Sequence, residues 1–136
     1  MSYQIVPGPP EYVILRPREP VPGPEATAAL DRAVGLATGF PHGRVLVDVR
    51  SMVGLPSASD TREFGRRLGA APGLEFTRMA LVARPGVHYG VARSIALLAS
   101  SHGRMVEAFT SIGEAEAWLV DPGGDLRPPT GPHHFR

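Results

Sequence analysis

The side chains best equipped for chemistry in this sequence fall into three groups. Asp48 and Arg50 close an otherwise apolar run, Arg44-Val45-Leu46-Val47-Asp48-Val49-Arg50. Ser57, Ser59 and Asp60 stand where a new helix should begin, and Arg84, His88, Tyr89 and Arg93 gather around Pro85-Gly86. Guanidinium groups and serine hydroxyls beside helix starts suit an anion. The unpaired amides and positive dipole end of a helix attract negative charge. Arginine adds two-pronged, charge-assisted hydrogen bonds to a carboxylate or phosphate. These residues define a candidate site for a small anionic ligand or a phosphoserine-bearing partner. The competing expectation is structural: Asp48 pairs with an arginine, Ser57 or Ser59 caps a helix, and Tyr89 covers a sheet edge.

Other chemistries find less support. Ser, His and Asp all occur in these groups, but no Gly-x-Ser-x-Gly elbow is present and nothing specifies an oxyanion hole. With no cysteine, disulfides, thiolate metal sites and a cysteine nucleophile are excluded. Every Lys/Arg position is arginine, which excludes Schiff-base chemistry and a Walker-type phosphate loop. His133 and His134 are adjacent near the end of the chain, whereas structural metal sites draw ligands from ordered segments with defined spacing. No metal and no cofactor is expected. The net charge of +1 with scattered arginines lacks the basic stripe that a nucleic-acid partner needs. No apolar run approaches the roughly 18 residues of a membrane span, and Met1-Ser2-Tyr3-Gln4-Ile5 lacks the basic start and apolar core of a signal peptide. The expectation is a cytoplasmic protein with no membrane insertion.

Positioning these groups requires a sheet. A strand apolar at successive positions, as around Asp48, belongs inside a sheet covered on both faces. Tyr12-Val13-Ile14-Leu15, Arg78 to Ala83 and Met105 to Phe109 read as further strands, with residues 3–6 as a short edge strand before the Pro7-Gly8-Pro9-Pro10 turn. A proline-rich loop then leads to Pro24, which suits the first turn of a helix. Ala26, Leu30, Ala33, Val34 and Ala37 give that helix one apolar stripe, and Gly39 supplies a stop. Ser57 to Asp60 and Ser111 to Glu114 have capping-box spacing.

The helix after Ser57 carries Phe64, Leu68 and Ala71 on one face and ends at Pro72-Gly73. Its Gly65 and Gly69 are expected to permit close packing on the sheet, at about 1 kcal/mol each in helix propensity. A third helix, from Val87 to Ser101, has a core stripe of Val91, Ile95, Leu98 and Ala99, widened by Ala92, Ala96 and Leu97. Either it is deeply covered or it meets a second copy in a homodimer. Ile112, Ala115, Trp118 and Leu119 form the last amphipathic helix, with Trp118 as a core anchor. Polyproline readers could grip the proline-rich turns, though stiffening of surface loops is the simpler use.

The expected fold is α/β: one open, mainly parallel sheet of four to five strands, about four helices, and an antiparallel edge at the start. Residues 1–120 form a single domain and 121–136 a Pro-, Gly- and His-rich mobile tail. The loops after the strands then converge on one rim, carrying the three groups with them.

The order of landmarks resembles the STAS-like class, the fold of sporulation anti-sigma-factor antagonists, which groups with lipid-binding CRAL-TRIO domains. The likeness is carried over about residues 10–120 by Val45-Leu46-Val47-Asp48-Val49-Arg50 with Gly54, and by His88-Tyr89-Gly90-Val91-Ala92-Arg93. Val106-Glu107-Ala108-Phe109 followed by Glu114-Ala115-Glu116-Ala117-Trp118-Leu119 completes it. In the antagonists an Asp-Ser-Ser-Gly run opens the second helix, and a partner kinase phosphorylates a serine there. Leu55-Pro56-Ser57-Ala58-Ser59-Asp60 is the matching segment and departs from that order. The resemblance implies a non-catalytic binding or regulatory module with a protein partner, a kinase or regulator. The alternative is a carrier of a small apolar or anionic ligand, with the third helix lining its pocket.

Overall fold

The strand that carries Asp48, β3 (Arg44–Asp48), is the middle one of five, and every residue in it is buried. In the computed structural model, which describes residues 3–8, 12–19, 23–37, 43–70 and 78–120, the sheet order follows the chain: β1 (Tyr3–Gly8), β2 (Tyr12–Pro17), β3, β4 (Arg78–Val82) and β5 (Met105–Phe109). β1 pairs antiparallel with β2, and all later pairs are parallel. The α/β class, the mostly parallel sheet and the antiparallel start are thus as the sequence led one to expect. β1 runs on through Pro7 and Gly8, beyond the short strand expected at 3–6. An edge strand tolerates this because one side of its backbone has no ladder partner to lose.

Helices α1 (Gly23–Ala37), α2 (Ala58–Ala70) and α3 (Val87–Ser100) connect neighbouring parallel strands. Crossovers of one hand between sequential strands put all three on the same face. Their buried residues, among them Leu30, Leu68 and Ala96, pack on Val13, Leu15, Val45, Val47, Met79 and Leu81. The other face carries Tyr12, Leu46, Ala80 and Val82, and α4 (Ile112–Val120) covers it with Ala115 and Leu119. Strand alternation divides the two cores, since successive side chains point to opposite faces.

Two expectations need adjusting. Fully buried positions of α3 are Ala92, Ala96 and Ala99, whereas Val91, Ile95 and Leu98 are half-buried at the flanks. Small residues take the line of closest approach to the sheet, and larger ones fill the gaps beside it. Gly65 meets α3 and Gly69 the turn just beyond its end, not the sheet: a Cβ on Gly65 would lie 2.8 Å from Leu98 Cδ2, and one on Gly69 2.7 Å from His102 Cγ. The glycines let α2 and α3 close on each other. The expected stops at Gly39 and Pro72-Gly73, the position of Ala71 and the tail 121–136 with His133 and His134 lie outside the described residues.

Candidate functional site

Asp48 shows how burial selects its partners. Its side chain is 5 % exposed and accepts hydrogen bonds from Arg50 Nε and Nη2, both at 2.9 Å, and from the Arg50 backbone amide at 3.1 Å. Arg16 Nε adds a fourth at 3.3 Å. Burial pushes the carboxyl pKa up, but the hydrogen bonds and charge of Arg50, with help from Arg16, prevail and hold it below the usual carboxylate range. Both carboxylate oxygens are engaged. Asp48 also shares the sheet face of Leu46, opposite to that of Val47, so it faces away from α2 and α3.

The second group is local to α2. Ser57 Oγ accepts the Asp60 amide at 3.0 Å, an N-cap at the spacing the sequence announced. Ser59 and Asp60 are exposed in the first turn. Ser111 caps α4 in the same way, accepting the Glu114 amide at 3.2 Å.

The third group is divided. Arg84 Nη2 donates to Met52 O at 2.8 Å and stands 2.6 Å from His88 Nε2, which itself lies 3.1 Å from Gly54 O. Arginine only donates, so the Arg84 contact needs a lone pair on Nε2, whereas the Gly54 contact needs a proton there. The two contacts are alternatives belonging to different tautomers. Either way, Arg84 and His88 fasten the loop after β3 to the start of α3, and Val53 N donating to Arg18 O at 3.0 Å ties the same loop to the end of β2. Gly86 permits the turn into α3 with φ +95°, a conformation that side chains disfavour. Tyr89 packs half-buried against the core of the helical face. Arg93 is exposed on the outward side of α3, and its charge acts on Glu107 of β5. The candidate residues therefore form separate constellations: an ion-paired one with Asp48, a cap with Ser57, a loop fastener with Arg84 and His88, and the outlying Tyr89 and Arg93.

The carrier alternative gave the third helix a pocket to line, but not its place under the fastened loop or its other walls. A cavity of about 130 Å³ opens between the sheet and the helices. Leu15, Val47 and Leu81 form its floor, Phe64 of α2 and Ile95 of α3 its walls, and Met52, Leu55 and Pro56 of the loop its roof. The surface facing this space is almost wholly apolar; of the polar residues in its lining, Asp60 and Arg67 are exposed and Thr61, Glu63 and His88 are half-buried. Its cause is a wedge. Gly65 and Gly69 draw α2 and α3 together over their later turns, leaving a gap where Phe64 and Thr61 face Val91 and His88. A run such as Gly-x-x-x-Gly signals the pinch, but no sequence pattern signals the gap.

Comparisons with protein-family models, with curated proteins and with solved structures find no match. Among the described residues, no group of His, Asp and Glu gathers closely enough to hold a metal ion, and no helix is long and apolar enough to cross a membrane.

Proposed function

We propose that this protein is a non-catalytic binding module of the STAS-like class that holds a small molecule in the cavity between its sheet and α1–α3. The cavity is the observation that carries the reading. Ligand pockets are concave and predominantly apolar, whereas a packed interior leaves few voids larger than a water. Sequential strand order with three helices on one face is what a β-α superhelix of that class would have. The carrier alternative gains from α3, whose Val91, Ala92 and Ile95 line the space. An anionic ligand at the rim gains nothing comparable, because Asp48 turns to the opposite face and Arg93 to the outside. Extraction of freshly purified protein followed by mass spectrometry tests the proposal. A stoichiometric organic molecule, which on re-addition raises Tm, is the expected result. Protein that carries nothing, and whose Tm no member of an apolar compound library raises, contradicts it.

Regulation through a protein partner is the second reading, favoured by Ser59 standing exposed in the first turn of α2. A phosphate there would meet the positive end of the helix. Incubation with a serine kinase of the anti-sigma type should label Ser59; labelling elsewhere, or none, counts against it. A homodimer through α3 would use Leu97, 59 % exposed on its outward side. Light scattering that reports a strict monomer at tens of micromolar removes that contact.

A further inference from the structure

We infer that the occupant of the cavity is an uncharged apolar molecule of about six to eight heavy atoms, roughly the size of a single substituted ring. This rests on the reading of the cavity as the binding site and adds the class of its ligand. Size comes first. The volume is about 130 Å³, and an engineered apolar cavity of about 150 Å³ stays dry and takes benzene or xenon. A long-chain lipid does not fit that space.

Charge comes second. A carboxylate or ammonium moved into an apolar space loses its hydration and needs a partner there. The cations beside the cavity are already engaged: Arg67 Nε holds Glu63 Oε2 at 3.0 Å, and Arg84 reaches Met52 O and His88. An anion at the mouth would also meet the carboxylate of Asp60. Asp60 in turn is exposed, so water screens the attraction it offers a cation. Glu63 and His88, half-buried in the lining, are held by Arg67 and by Arg84 or the Gly54 carbonyl, so among the described residues neither sign of charge finds an unengaged buried counter-ion, and apolar contact selects the occupant.

Methyl-resolved NMR of Val91 and Ile95, titrated with toluene, benzoate, benzylammonium and hexadecanoate, tests the inference. Toluene should shift these methyls and bind at least tenfold more tightly than either charged ring. Ala92→Leu, which fills the space from the α3 side, should weaken toluene binding at least tenfold. If that variant does not fold, Ala26→Leu fills it from α1 with the same expected loss. Preference for benzoate, benzylammonium or hexadecanoate, abolished by the filled variant, overturns the ligand class while the cavity remains the site. Methyls that respond to none of the four probes overturn both the class and the site.

Discussion

A carboxylate withdrawn from water has to find cations, and Asp48 finds Arg50 in a two-pronged pair with Arg16 alongside. Removing its charge takes from both arginines their shared carboxylate. Asp48→Asn should cost about 2–3 kcal/mol, below the roughly 3–5 kcal/mol of a fully buried broken pair because the arginines remain partly in water. The pH dependence follows from the direction of the shift. The folded carboxyl titrates below its unfolded value of about 3.9, so the stabilisation is complete above that value and is lost as pH falls through the lower, folded one. Thermal melts of wild type and Asp48→Asn should differ most near neutrality and converge in acid; a gap that widens below about pH 4 would contradict the pairing. Tyr12 has an analogous place on the same face. Its hydroxyl donates to Glu116 at 2.5 Å, and burial together with that carboxylate raises its pKa. Part of this was legible: Ser57 and Ser111 announce their caps by spacing, and an arginine partner for Asp48 was one of the two expectations, whereas Arg16 beside Asp48 and Tyr12 on Glu116 carried no sequence signal. Facing was not: whether Asp48 looks toward or away from α2 depends on which face the crossovers take, and no local pattern encodes that.

Helix contacts set the next scale. Alanine at Gly65 or Gly69 gains about 1 kcal/mol of helix propensity. Against that gain, the new methyl would press on Leu98 Cβ at 3.1 Å or His102 Cβ at 2.9 Å, atoms that move only with the backbone of α3 and of the turn that follows it. Overpacking wins. Each variant should lose about 1–2 kcal/mol net in chemical denaturation, Gly69→Ala the more; a stabilised Gly69→Ala would show that α2 and α3 are not pinched there. On the opposite face, Arg44 and Arg78, buried and cross-strand neighbours, donate to the Leu119 and Trp118 carbonyls at the end of α4. Cations there complement the negative end of the helix dipole. Arg78 also lies 5.4 Å from the centroid of the Trp118 ring. Arg78→Met keeps much of the apolar stem but not the charge, and amide exchange should accelerate in the last turn of α4. Unchanged protection would contradict the cap. The loop fastener makes a parallel prediction: Arg84→Met should speed exchange of the Val53 amide, while an amide indifferent to Arg84 would mean that Arg18 holds the loop unaided. Element identities were readable from periodicity and capping, as the near agreement for α3 illustrates. Arg44 and Arg78 were not readable as helix caps, because the carbonyls they serve lie 75 and 40 residues away in the chain.

For the whole molecule, strand order governs everything else. A sheet laid down in chain order sends α1, α2 and α3 to one side and leaves the other to α4. The alternation of strands and helices made the class of fold legible, and the run around Asp48 marked the central strand. A rim where all the loops meet is a sound consequence of parallel strands, but that rim has two sides, and this order divides the candidate residues between them. What remains on the helical side is a space bounded by floor, wall and roof from elements distant in sequence. A void has no residues of its own, so it is legible only once α2 and α3 have been placed against each other. The most direct measurement is a crystal structure determined under xenon pressure, because xenon enters dry apolar cavities without needing a hydrogen bond. Xenon is expected between Val47, Phe64 and Ile95, beneath Met52 and Leu55. The same crystals with ordered waters in that space, or with Phe64 and Ile95 closed over it and xenon absent, would contradict the account.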